Sequence, residues 1–348
     1  MTARRTCVRR PRTRAWTRLP DAELLNLRFC DLGLKLDGTR VAPSIRRLYA
    51  ELEARGLHFR PHCWLAEEWF SPDGVPGIAV PFYLAHPRLE RLERRMMREV
   101  EGGNSNWLMR ILRHEAGHTL DTAYRLRRRR GWREVFGPAS LPYPDSYKPR
   151  PGSRRFVQHL GSWYAQSHPT EDFAETFAVW LQPRSRWRSR YADWPALGKL
   201  EFVEDVMREV RGRRPPVRCR DEIEPLAADT HTLAQHYRRK RARYRRMRRS
   251  LADEMIRRVF GEPRGARHSV SAATFMRRVK QDVRRAVRRQ SAASDYAIHQ
   301  VLRLIIDRCV AGHLAVTVPA RAARRNAVWL TLRLVEFLDQ RASRRLAL

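Results

Sequence analysis

Within residues 107–127, Leu108, Ile111, Leu112 and Leu120 recur at three- and four-residue steps, the spacing of a helix whose face turns into a packed interior. His114, Glu115 and His118 fall among them. The pattern therefore demands a helix that carries polar side chains inward. A buried polar group must be paired, since leaving one unpaired costs about 1–3 kcal/mol.

The pentad His114-Glu115-Ala116-Gly117-His118 has its histidines at i and i+4, one above the other on a helix. Two imidazoles so placed converge on one zinc ion. Glu115, one residue on, reaches water held at that ion, takes a proton as the water attacks a carbonyl, and returns it to the leaving group. A catalytic zinc needs a third protein ligand and an open position. The helix predicted from Pro169 to Leu181 supplies two candidates, Glu171 and Glu175, again at i and i+4. One would bind the metal while the other orients a ligand histidine. Spacing does not choose between them. Asp172 points elsewhere and reads as a favourable first-turn acid. His168 reads as a solvent-facing loop histidine that at most lines a cleft.

Elsewhere, helix-like spacing covers 21–30 and 43–55, and the latter aligns Ile45, Leu48, Tyr49 and Leu52. Residues 57–65 and 78–85 read as strands, with Pro81 confining the second to a sheet edge. Helices follow at 87–100, 107–127, 169–181 and 196–211, with an N-cap offered within 102–106 and a loop over 137–152. The sequence GRRPP at 212–216 marks a boundary. Beyond it, residues 216–348 hold 31 basic and 12 acidic residues, with helices expected at 231–260, 272–289, 292–311 and 319–344. The first carries an apolar stripe of Leu233, Tyr237, Tyr244, Met247, Leu251, Met255 and Val259.

The whole chain has 71 basic and 37 acidic residues, a net charge of +34, and only five of the basic residues are lysines. Such a charge attracts polyanions, nucleic acid among them, although so strong a bias toward arginine is also what compositional drift produces. The five cysteines are scattered without a CxxC pair and read as free thiols. An apolar run long enough to span a membrane is missing, and the Arg-rich start lacks the apolar stretch of a secretory signal, so a cytoplasmic protein is expected by default.

The stretch HEAGHTLD, followed by Tyr164 and then Glu171-x-Phe173-Ala174-Glu175-x-Phe177, resembles the glutamate-ligand zincins. It is especially similar to the catalytic domain of anthrax lethal factor and its bacterial relatives. Residues 17–210 resemble more broadly a family of bacterial proteins described as putative zinc-binding metallopeptidases. The lethal-factor pattern implies that Glu171 is the third ligand, that Glu175 lies behind a ligand histidine, and that Tyr164 stabilises the oxyanion. Asp121, three residues after the second histidine, also matches. A substrate peptide would then add to an edge strand at 78–85, as zincins commonly arrange.

The expected architecture is α+β: a basic arm at 1–16, a zincin-like metallopeptidase domain at 17–212 and an Arg-rich, mostly α-helical region at 217–348. The expected function is zinc-dependent hydrolysis of a peptide or amide bond in a peptide or protein substrate. One Zn2+ per chain would sit on His114, His118 and Glu171, with Glu115 and Tyr164 catalytic and with Glu175 and Asp121 behind the ligands. The alternative is a polyanion-binding protein whose metal site is structural or does not turn over. The intact Glu115 counts against it, because a structural zinc has no use for that carboxylate.

Overall fold

A computed structural model describes the chain except residues 1–14, 98, 145–149, 151, 162, 246–254, 263–269, 292 and 343–348. Two compact units result, the first made mainly of residues up to 238 and the second of residues 239–343.

The first unit opens with α1 (Asp21–Leu25), α2 (Ala42–Ala54), β1 (His62–Ala66) and β2 (Gly77–Pro81). Then come α3 (Pro87–Met97), α4 (Ser105–Tyr124), α5 (Arg130–Phe136), α6 (Pro169–Leu181), α7 (Trp187–Arg190) and α8 (Ala196–Val210), and α9 (Leu233–Arg245) begins in this unit. Mostly helical structure with one small sheet among the described residues fits the α+β expectation. Of the basic arm read at 1–16, only its end is described. There Trp16 is buried and donates from Nε1 to the Leu32 carbonyl at 3.0 Å. GRRPP at 212–216 does not end the unit, and Val217 N–H returns to the Ala123 carbonyl at 3.1 Å.

Several elements are shorter than periodicity predicts. The helix read at 21–30 stops at Leu25, and a 3-10 turn, Phe29–Leu32, follows it. The strand read at 57–65 is confined to His62–Ala66. The strand read at 78–85 ends at Pro81, where φ of −61° passes the chain into a 3-10 turn, Phe82–Ala85. In the apolar run IAVPFYLA every residue is buried up to Leu84, so periodicity cannot separate strand from turn there. β1 and β2 pair in parallel, His62 opposite Gly77. The open edge expected along β2 for a substrate is absent: all five residues are buried, and Ala79 N–H donates to the Phe70 carbonyl at 2.9 Å on the side away from β1.

α4 begins where Asn104 accepts from the Trp107 N–H at 2.9 Å, and it ends at Arg125, which takes the left-handed conformation at φ 53°. Leu108, Ile111, Leu112 and Leu120 are all buried. α2 fixes the helix through a bidentate pair: Arg113 Nε and Nη2 donate to Glu51 at 2.7 and 2.8 Å, both side chains being buried. α6 packs along the other flank. At the crossing, Gly117 meets Ala174 so closely that a Cβ on Gly117 would lie 2.8 Å from the Ala174 Cα and 3.2 Å from its carbonyl oxygen.

In the second unit, α10 (Ala272–Gln290), α11 (Asp295–Ala311) and α12 (Ala320–Ala342) pack on one another around Met276, Val283, Val301, Leu302, Ile305 and Leu330. Of the stripe read on 231–260, Met247 and Leu251 lie outside the described residues. Among the described thiols, Cys63, Cys219 and Cys309 are free, whereas Cys30 is disulfide-bonded, a pairing that scattered spacing does not signal. No helix among the described residues is long and apolar enough to cross a membrane.

The Gly117 contact has a sign that can be measured. At an ordinary helical position Gly→Ala stabilises by about 0.5–1 kcal/mol. Gly117→Ala should instead destabilise by about 1–3 kcal/mol, because the new methyl presses on backbone that cannot yield. Urea unfolding checks this, and a gain in midpoint would show that the crossing is looser than described.

Candidate metal centre

α4 and α6 each present two polar side chains, four residues apart, on either side of the Gly117–Ala174 crossing. His114 and His118 come from α4, Glu171 and Glu175 from α6, and all four are buried. Nε2 of His114 lies 3.0 Å from Glu171 Oε2 and 3.1 Å from Nε2 of His118, which is itself 3.3 Å from the same oxygen. Three metal-ligating atoms thus face one point. On a tetrahedral zinc with bonds of about 2.0–2.1 Å, neighbouring ligand atoms stand about 3.3–3.4 Å apart. The three residues fit that ion with little adjustment.

The two glutamates, equivalent by spacing, occupy different places. Glu175 lies behind His114, with its Oε1 3.0 Å from Nδ1. It also accepts backbone N–H groups from His159 at 3.2 Å and from Leu160 at 2.9 Å. With Nδ1–H donated to Glu175, the Nε2 lone pair of His114 points at the convergence point. Glu171 turns Oε2 to the imidazoles, while its Oε1 accepts the Tyr143 hydroxyl at 3.0 Å.

Glu115 is buried beside this cluster and accepts the Ser71 hydroxyl at 2.8 Å. Ser71 follows Phe70, so the short segment that covers β2 also borders Glu115. Tyr164, almost fully buried, has its ring 5.6 Å from that of His114. Asp121 is buried but uses both oxygens on Arg127, accepting its backbone N–H at 2.7 Å and its Nε at 2.6 Å. It therefore ties down the chain that leaves α4.

Two other residues do more than expected. His168 is not a solvent-facing histidine: it is buried and caps α6, accepting the Thr170 N–H at Nδ1 and donating Nε2–H to the Leu141 carbonyl at 2.9 Å. Asp172 stands in the first turn of α6, as read, but is also tied to another helix. It is buried and takes Lys199 Nζ from α8 at 2.5 Å, and burial pushes its pKa up to about 7 against the pull of that ammonium. Sequence reasoning gave no role to Ser71, His159 or Leu160. Each reaches the site through tertiary packing from a segment without a periodic signal.

The electrostatics follow from burial. Dehydration works against a charged imidazole at His114, but Glu171 and Glu175 outweigh it and raise the pKa to about 10. Burial likewise opposes a charged Glu171, yet His118 and His114 hold its carboxyl far below the usual range. Burial lowers the pKa of His159 to about 4, so it stays neutral while its Nε2–H donates to the Arg110 carbonyl.

A protein family described as putative zinc-binding metallo-peptidase matches residues 88–189, which include both histidines and both glutamates. No curated protein and no solved structure matches the chain.

In the metal-free protein the two buried carboxylates favour the protonated form of His114. Its folded pKa of about 10 exceeds the ordinary 6.5. The stability it contributes is therefore complete below about pH 6.5 and is lost as pH rises through 10. Chelator-treated protein should lose urea stability across that window, and His114→Ala should flatten this part of the profile. Parallel profiles for the two proteins would contradict the assignment.

Proposed function

We propose that the chain is a zinc-dependent peptidase with a zincin-like catalytic unit, in which His114, His118 and Glu171 hold one ion and Glu115 moves the proton. The observation that carries this reading is the convergence of the three ligand atoms at mutual distances of 3.0–3.3 Å, with a further buried carboxylate, Glu115, one residue from His114. A zinc ion bound there supplies Lewis acidity, polarising a carbonyl and lowering the pKa of water. The match of residues 88–189 to the metallo-peptidase family supports a peptide as substrate.

The chain's own residues supply the rest. Glu115, held by Ser71, accepts a proton from the attacking water and passes it to the leaving nitrogen. Glu175 fixes the tautomer and ring plane of His114, and is itself anchored by the His159 and Leu160 N–H groups. Tyr164 donates its hydroxyl to the oxyanion as the carbonyl becomes tetrahedral, a role in which losing one donor costs about 10²–10³ in rate.

The deciding variant is Glu115→Gln. It is expected to retain one zinc per chain by metal analysis, to keep its fold, and to lose about 10²–10⁴ of its turnover, read as new amino termini released from a mixed peptide pool. Turnover equal to that of the parent would reject Glu115 as the proton carrier, and zinc retained by His114→Ala would reject the ligand set.

A further inference from the structure

The Tyr143 hydroxyl lies 3.0 Å from Glu171 Oε1, the carboxylate oxygen that does not face the imidazoles. Tyr143 belongs to the loop between α5 and α6, with 38% of its surface exposed, yet its ring is fixed. It stacks on the His168 imidazole with centroids 3.8 Å apart and planes 18° apart. His168 is immobile in turn. As the N-cap of α6 it accepts the Thr170 N–H at 3.2 Å and approaches Thr170 Oγ1 at 2.7 Å, and it donates to Leu141 O at 2.9 Å. The Thr170 hydroxyl also touches the Tyr143 hydroxyl. The first turn of α6 thus holds the phenol against the carboxylate of its next residue.

A glutamate beside a cation has two modes. With one oxygen bound, a zinc on two histidines is three-coordinate toward protein and keeps a fourth position open. With both oxygens bound, that position is partly filled and the ion's Lewis acidity falls. Tyr143 is placed to decide between them: a phenol O–H donated to Oε1 draws charge from that oxygen and makes it a weaker second ligand. It also fixes the carboxylate's rotation about its terminal torsion, which is otherwise broad. Resting on the zinc-peptidase reading above, we infer that Tyr143 is a positioning residue that holds Glu171 to coordination through Oε2 alone.

The substitution Tyr143→Phe removes the hydroxyl and keeps the ring that stacks on His168. Removing such a partner of a ligand lowers metal affinity by about 10–100-fold. Zinc affinity is measured by competition with a chromophoric chelator, and the cobalt-substituted protein reports coordination through its visible absorption. Tyr143→Phe is expected to raise the zinc Kd by at least about tenfold. It should also weaken the intense four-coordinate cobalt band. A Kd and cobalt spectrum matching the parent would overturn the inference. So would a raised Kd accompanied by an unchanged cobalt spectrum, since the hydroxyl would then be supporting the loop rather than the carboxylate's mode of coordination. Failure of the underlying reading looks different: the parent itself would bind no zinc, or would bind it undiminished in His114→Ala.

Discussion

The approach of α4 to α6 at Gly117 and Ala174 is the contact on which the site depends. Gly117 is three residues after His114 and one before His118, while Ala174 is three after Glu171 and one before Glu175. Position i−3 neighbours both i and i+1 on the helix surface, while i and i+1 stand about 100° apart. Each helix therefore sets its smallest residue at the crossing and flanks it with two polar side chains. The backbones come close enough that a Cβ on Gly117 would sit 2.8 Å from the Ala174 Cα, which brings imidazole and carboxylate within 3.0 Å. A larger residue at either contact position would separate all four groups together.

That repeated offset explains what was legible in the sequence. Two histidines at i and i+4 in an apolar helical pattern are a local feature, and the structure puts both Nε2 atoms together. Glu171 and Glu175 are equally local, and their burial on one face of α6 follows from the same arithmetic. Which of them faces the histidines is not local. It depends on the angle at which α6 crosses α4 and on the loop that brings the His159 and Leu160 N–H groups to Glu175. No pattern in the sequence carries either. Ser71 was invisible as a partner for the same reason, and Tyr143, which with Tyr147 rivals Tyr164 on sequence as the oxyanion donor, gave no sign of its contact with Glu171, because each reaches a carboxylate from a segment outside any helix. The strand read at 78–85 was misjudged in extent because a wholly buried apolar run has no alternation to read. Pro81 stops β2 by its φ, and the side of β2 away from β1 is taken up by Phe70.

The buried acids of the two helices fall into two sorts. Asp121 has Arg127 and Asp172 has Lys199, so each carries a cation of its own. Glu171 and Glu175 are held instead by imidazoles, a phenol and backbone N–H groups. An arginine or lysine placed against them would have filled the convergence point. In a chain with 71 basic residues, keeping such side chains out of that spot is itself a structural property.

Charge balance then selects the occupant. With both imidazoles neutral, Glu171 and Glu175 bring two negative charges into a buried site, where uncompensated charge is costly. A single proton on His114 offsets one of them, which is why its pKa rises to about 10. A divalent cation offsets both and spares the imidazoles a proton that burial disfavours. Two nitrogens and one carboxylate oxygen suit zinc, whereas calcium or magnesium would require more oxygens than these helices present. Glu115, hydrogen-bonded to Ser71, is the carboxylate left over from this balance.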